Sequence, residues 1–181
     1  MKHSLPYADA AMLAAEILAE LGDACERIEV AGSLRRQKAE IGDIEIVAIP
    51  RLVTETDLFG VPVAQKSRLD ACLAALGVRL TKGGDRFKQF AWHGTTVDLF
   101  LTDRERWGVI YTIRTGSADF SHWLVTPRAA GGALPPGMRF QDGRLWRGAE
   151  SVSTPEESDV FAAIGWPWLP PAERRAGLWR R

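Results

Sequence analysis

The run Asp43-Ile44-Glu45-Ile46-Val47-Ala48-Ile49, set between Gly42 and Pro50, constrains this chain more than any other segment. β-branched residues in strict alternation call for an extended strand. Period-two geometry then sends Asp43 and Glu45 to one face and Ile44 and Ile46 to the other. The apolar face must be covered by other elements of a core. The acidic face carries two carboxylates side by side, which repel and resist desolvation unless solvent or a cation compensates them. Mg²⁺ is the natural compensator, because it takes oxygen ligands and is held by one or two carboxylates together with substrate phosphates.

A third acid in similar surroundings is Asp98, within Thr96-Val97-Asp98-Leu99-Phe100-Leu101. Acids on strands usually face solvent, and each of the three taken alone reads that way. If the two strands are neighbours, three carboxylates converge, enough for two ions ~3.5–4 Å apart. The segment upstream strengthens this reading. Gly32-Ser33 lies between a short strand and a helix start, where backbone N–H groups and a hydroxyl can cradle a phosphate. Arg35 and Arg36 add forked donors suited to phosphate oxygens, although two arginines in a loop are more often solvated. Gly42 is either a permissive turn residue or a place where a phosphate approaches the backbone. Carboxylates, cradle and cation together make a kit for phosphoryl transfer.

Around this centre the pattern is α+β. Leu13, Ile17 and Leu21 recur at helical spacing, and Gly22 stands where a left-handed C-cap would fall. Ile28 to Ala31 reads as a short strand. Gln65 to Leu76 reads as a helix stopped by Gly77, and Val78 to Thr81, Phe87 to Trp92 and Thr96 to Leu101 read as strands. Past Asp103 the texture becomes helical, near Arg104 to Ile113 and Ser117 to Val125. The Pro/Gly-rich "TPRAAGGALPPG" follows. Asp142-Gly143 predicts a tight hairpin, Thr154-Pro155-Glu156-Glu157 a capping box, and Gly165 a helix stop. A second subdomain is therefore expected to begin at residue 104.

With 181 residues and 46% hydrophobic content, the chain has material for a core of its own. Acids interrupt the Ala/Leu-rich start, so neither a signal segment nor a membrane span fits, and a soluble cytoplasmic protein is expected. Cys25 and Cys72 lack metal-ligand spacing and read as thiols. The 23 basic and 23 acidic residues balance, so any grip on nucleic acid has to be local.

The segment from Gly32 to Glu45, "GSLRRQKAEIGDIE", resembles the signature of the polymerase β nucleotidyltransferase superfamily, and more narrowly that of family X DNA polymerases. Tyr111 to Phe120, "YTIRTGSADF", is similar to the Tyr-Phe-Thr-Gly-Ser segment of the family's sugar and base pocket. The closing "TPEESDVFAAIGWPWLPPAERR" is like its last helix and Pro-Pro tail. The resemblance implies an α+β fold with a nucleotidyltransferase palm over residues 1–103 and a mostly helical thumb over 104–181. It implies metal ligation by Asp43, Glu45 and Asp98, with two Mg²⁺ ions that Mn²⁺ can replace. It gives triphosphate contacts to Gly32, Ser33, Arg36 and Gly42, and contacts to the rest of the nucleotide to Ile113, Arg114, Thr115, Gly116, Ser117 and Ser121. The implied partners are a nucleoside triphosphate and a primer-template or gapped DNA, met by a monomer.

The departures from the family pattern also carry meaning. Glu45 stands where the family usually has aspartate. Ile113 and Arg114 replace its Tyr-Phe pair, and Ser121 and Val125 replace its asparagine and arginine, so weak sugar discrimination and low fidelity are implied. No helix-hairpin-helix or lyase region is expected, as in truncated viral relatives, whose setting would be the host cytoplasm. Two alternatives follow: a nucleotidyltransferase acting on RNA, protein or a small molecule, and a non-catalytic nucleic-acid-binding module. His3, His93 and His122 are not spaced as a metal set. Trp123, among seven tryptophans, is the one placed to meet a base. Lys82, Arg86, Lys88, Arg174, Arg175, Arg180 and Arg181 are candidate phosphate contacts or solubilising charges.

Overall fold

A computed structural model describes residues 4–175; His3, Trp179, Arg180 and Arg181 lie outside them. The elements run β1 (Leu5–Pro6), α1 (Tyr7–Leu21), β2 (Cys25–Val30), α2 (Gly32–Arg35), β3 (Glu40–Ile41), β4 (Ile44–Pro50), β5 (Leu52–Thr56) and β6 (Pro62–Ser67). They continue as α3 (Arg68–Ala75), β7 (Leu80–Gly83), β8 (Phe87–Trp92), β9 (Thr95–Leu101), α4 (Trp107–Thr115) and α5 (Ala118–Val125). β10 (Met138–Gln141), β11 (Arg144–Arg147), β12 (Glu150–Val152) and α6 (Glu157–Ile164) complete the described order. The chain is α+β, as the alternation of patterns predicted.

Five strands form the main sheet in the order β2-β4-β9-β8-β7. β4 and β9 are parallel, and the other pairs are antiparallel. β4 lies between two neighbours with an apolar residue on nearly every step, the composition of a strand covered on both faces. On one face Ile44, Ile46 and Ala48 pack with Val97 and Leu99 under Ala10, Ala14, Ile17 and Leu21 of α1 and Leu69 and Leu73 of α3. Burying each aliphatic side chain there contributes roughly 1.5–3 kcal/mol. The opposite face carries Val47, Ile49 and Phe100 beneath Trp107 and Tyr111 of α4. A separate core joins α4, α5 and α6 to the β10-β11-β12 sheet through Val109, Phe120, Trp123, Leu124, Leu145, Val160 and Phe161. Trp123 is thus a core residue, only 4% exposed and edge-on to Trp166.

Several sequence expectations shift. Gly22 is right-handed (φ −56°, ψ −47°), and the chain runs on into a 3₁₀ turn at Gly22–Ala24 instead of capping there. The helix expected from Gln65 begins only at Arg68, with Ser67 as N-cap accepting from the Asp70 amide. The residues before it are β6 of a hairpin with β5. That hairpin's tip leaves Leu58 100% and Phe59 90% exposed. The last capping box is formed by Glu156 and Asp159, not by Thr154 and Glu157. Thr154 is instead buried, its hydroxyl donating to the Glu105 carbonyl at 3.3 Å. The Asp142-Gly143 hairpin forms with both residues at positive φ, and gains the unforeseen third strand β12. Among the described residues no helix is long and apolar enough to cross a membrane.

Candidate active site

The three acids come from the centre of the main sheet. Glu45 of β4 and Asp98 of β9 are register partners on adjacent parallel strands, and Asp43 sits in the bend just before β4. Since Ile44, Ile46, Val97 and Leu99 take the α1 face, Glu45 and Asp98 fall on the face that α4 covers. Gln89, the antiparallel partner of Asp98 on β8, donates its side-chain amide to Asp98 Oδ1 at 2.7 Å. Nothing in the sequence singled out Gln89, because its role depends on a cross-strand register.

Glu45 is held among like charges. Burial, and then the neighbouring charge of Asp43, push its pKa up to about 7, with Asp98 adding to the rise while Arg36 and Arg114 oppose it. Burial pulls the Arg36 and Arg114 guanidiniums below their ordinary values, and the charge of Glu45 counters this in both. Gly32, which opens α2, has φ +60°, and a Cβ there would lie 1.8 Å from Glu45 Oε2. Glycine is required both by backbone conformation and by the carboxylate beneath it. The Ala31 amide donates to the Glu45 carbonyl at 2.8 Å and ties this corner to β4. Ser33 occupies the first turn of α2, where N–H groups have no intrahelical acceptor. At Gly42 a Cβ would meet nothing within 4 Å, so packing leaves that backbone approachable.

The residues expected around a nucleotide are otherwise engaged in a seam between the two parts of the chain. Arg36 Nη1 donates to the carbonyls of Thr115 at 2.5 Å and Gly116 at 2.9 Å. Arg35, weighed from sequence between a donor suited to phosphate and a solvated arginine, is committed elsewhere. It forms a paired bond to Glu157 at 2.9 and 2.7 Å, donates to Thr115 Oγ1 at 2.7 Å, and lies 3.8 Å over the Tyr111 ring. Arg174, also a candidate phosphate contact, grips the other side of Glu157 and is fully buried. Burial alone would raise the Glu157 carboxyl, but the two arginines overcome it and hold the pKa below its ordinary value. Thr115 is fully buried. Gly116 caps α4 where a Cβ would come within 2.3 Å of Phe120. The Ser117 hydroxyl donates to Asp119, and Ser121 donates to the Ile113 carbonyl at 2.6 Å. Ile113 packs against the second core, and Arg114 lies 3.8 Å over the Phe100 ring.

Oxygen donors on neighbouring strands, with one of them short of positive charge, suit a hard divalent cation in chemical type. Their present positions do not: among the described residues, no group of three or more His, Cys, Asp or Glu side chains closes on a common point. Of the histidines, His93 is engaged elsewhere, its ring pairing with Glu16 at 3.1 Å. Compared with curated proteins, the chain matches none. Over residues 111–175, which hold the seam's Tyr111, Thr115, Glu157 and Arg174, it is similar to the DNA polymerase beta thumb, whose family model matches that stretch.

Proposed function

We propose that the chain is a nucleotidyltransferase of the DNA polymerase β kind, adding a nucleotide from its triphosphate to a primer 3′-hydroxyl. The observation that carries this reading is the register pairing of Glu45 with Asp98, two residues on from Asp43 and directly under Gly32. The match of residues 111–175 to a polymerase thumb supports it independently. In this reading residues 1–103 form the palm and 104–181 the thumb, and gapped or primer-template DNA lies between them.

The attacking oxygen is the primer 3′-hydroxyl, which bonds to the α-phosphorus of the triphosphate. The bond from that phosphorus to the bridging oxygen breaks, and pyrophosphate leaves. Asp98 faces the hydroxyl, and Asp43 and Glu45 face the phosphates. Two divalent ions, Mg²⁺ or Mn²⁺, held by the three acids would supply charge neutralisation and a more acidic hydroxyl. The amides of Gly32 and Ser33 and the open backbone at Gly42 serve the triphosphate oxygens. Arg36 fixes the Thr115-Gly116 turn beside them and is the cation closest to that role. Ile113, Arg114, Ser117 and Ser121 border the sugar and base. Ile113 lacks the aromatic ring that the family resemblance places beside the sugar, so ribose and deoxyribose substrates are discriminated weakly.

Primer extension on gapped and templated DNA, with Mg²⁺ or Mn²⁺, tests the proposal against Asp98→Ala. Metal-assisted charge stabilisation is worth several kcal/mol, so the variant should lose on the order of 10³-fold in rate. Equal rates in the two proteins would sink the assignment. Label transferred to an RNA, protein or small-molecule acceptor, with none on the primer, would select a different acceptor for the same chemistry.

A further inference from the structure

The segment between β4 and α3 contributes nothing to the cores. β5 and β6 form a two-stranded ribbon of their own, and none of its residues belongs to any of the three hydrophobic clusters. Both faces of the ribbon meet water, with only Glu55 and Ser67 half-buried. Yet it is apolar: of the eleven large apolar side chains exposed among the described residues, six are its Leu52, Val53, Leu58, Phe59, Val61 and Val63. A lone hairpin is marginal in water, and clustered exposed apolar side chains mark an interaction surface.

The tip is built to present its two largest side chains. Asp57 Oδ1 accepts from the amides of Phe59 at 2.8 Å and Val61 at 2.9 Å, and the Asp57 amide donates to the Val61 carbonyl at 2.9 Å. A turn fixed in this way has little freedom left to lose when Leu58 and Phe59 are covered. The two edges of the ribbon are unlike. β6 carries the features that blunt an edge: Pro62, Lys66 and a register shift that leaves Val63 without an opposite residue. β5, Leu52-Val53-Thr54-Glu55-Thr56, is rich in β-branched residues and has neither proline nor lysine. Its one charge, Glu55, is paired within the ribbon to Lys66 at 2.7 Å. Among the described residues no strand pairs with its outer edge. With Lys66 taken, the ribbon has no free cation for the phosphates of a nucleic acid or a lipid surface, and a bare strand edge calls for another protein strand.

A second copy of this chain supplies one, together with a seat for the tip. When two β5 edges pair antiparallel about a two-fold axis at Thr54, Leu52 faces the partner's Thr56. The same register carried onward sets Leu58 beside the partner's Pro50, and Phe59 beside the partner's Ile49. Ile49, Pro50 and Leu52 line a cavity of about 630 Å³ with Leu101 and Thr102, under a charged rim that includes the Arg104–Glu26 and Arg106–Asp103 pairs. That cavity lies at the root of the ribbon, where a two-fold partner's tip arrives, and has room for a leucine and a phenylalanine. Six apolar side chains per copy, with the paired edges, approach the roughly 800 Å² per partner of a standard interface.

We infer that the β5-β6 ribbon is a dimerisation arm: two copies pair through β5, and each seats Leu58 and Phe59 in the other's cavity. The assembly is a symmetric dimer in place of the monomer that the family resemblance implies. It does not depend on the proposed chemistry.

Sedimentation equilibrium of the full chain over about 1–100 µM tests the arm, with thermal melts to check folding, which substitutions at these exposed positions should leave nearly unchanged. The parent should be a dimer at the upper end of that range. Leu58→Ser combined with Phe59→Ser should weaken dimerisation roughly tenfold or more. Thr54→Lys and Thr54→Glu each set like charges opposite one another across the axis, so each should be monomeric alone and the two should dimerise when mixed. A parent that is monomeric throughout overturns the arm, as does a dimer indifferent to the double change at the tip. Thr54→Lys and Thr54→Glu proteins that each dimerise alone as tightly as the parent, or that stay monomeric when mixed, overturn the pairing through β5.

Discussion

Glu45 and Glu157 are the same residue type, both largely withdrawn from water, and they respond in opposite directions. Glu157 is gripped by Arg35 and Arg174, which hold its pKa down despite burial. Glu45 has Asp43 and Asp98 for neighbours, and burial with like charge drives it up to about 7. A buried carboxylate with forked cationic donors on both sides is satisfied and structural. One surrounded by other carboxylates is a site short of positive charge, and such shortage marks function more often than stability. The two acids sit on opposite sides of one seam: paired guanidiniums grip Glu157 where the parts meet, and among the described residues none forms such a pair with Glu45.

The largest effect that could break this comparison is at the satisfied acid. Glu157→Ala leaves two guanidiniums facing each other in the interior and should cost about 3–5 kcal/mol, read by chemical denaturation. A loss below 1 kcal/mol would mean that the clamp is ornamental.

A smaller effect of opposite sign is expected at Glu45, measured in the presence of a chelator. Its raised folded-state pKa means that the folded chain holds its proton more tightly than the unfolded chain, so stability falls as pH rises from the ordinary carboxylate value to about 7. Glu45→Gln removes that loss. It should stabilise the protein at pH 8 by about 1–3 kcal/mol, allowing for screening, and by almost nothing near pH 4. Melting curves at the two pH values check this, and destabilisation at pH 8 would contradict it. The linkage at Glu157 runs the other way: its contribution is full above the ordinary carboxylate pKa and is lost as pH falls through the depressed one.

The smallest of the three effects is at Gln89, whose side-chain amide donates a hydrogen bond to Asp98 and orients that carboxylate. Gln89→Ala should cost roughly 0.5–1.5 kcal/mol of stability. It should also alter nucleotidyl transfer more than Thr81→Ala does, though the Thr81 hydroxyl contacts the same Gln89. Equal effects on transfer would remove Gln89 from the site.

Much of this arrangement could be read from residues in order. The alternation from Asp43 to Ile49 gave the strand and its faces, because side-chain period is a local property. Asp98 carried a strand pattern but no sign of its partner, since parallel pairing across more than fifty residues leaves no local trace. The partner of Arg35 was hidden for the same reason: its acceptor, Glu157, is 122 positions away. The segment Gln65-Lys66-Ser67 has helix-forming residues, and pairing with β5 overrode them. Ser67 and Asp70 nonetheless spelled the true helix start. Arg114 was noted as a departure from pattern, but its proximity to the acids depends on how α4 lies across the sheet.

The seam around Glu157 also bears on how the protein is made. Its cations come from positions 35 and 174, so synthesis delivers Arg35 long before Glu157, and Arg174 later still. The main sheet can collapse on the ribosome while that guanidinium still waits in water. Contacts of such long sequence separation form late. The Glu157 clamp is thus completed only once the distal segment has left the exit tunnel, and a nascent chain stalled before residue 157 would carry the carboxylates without the clamp that frames them.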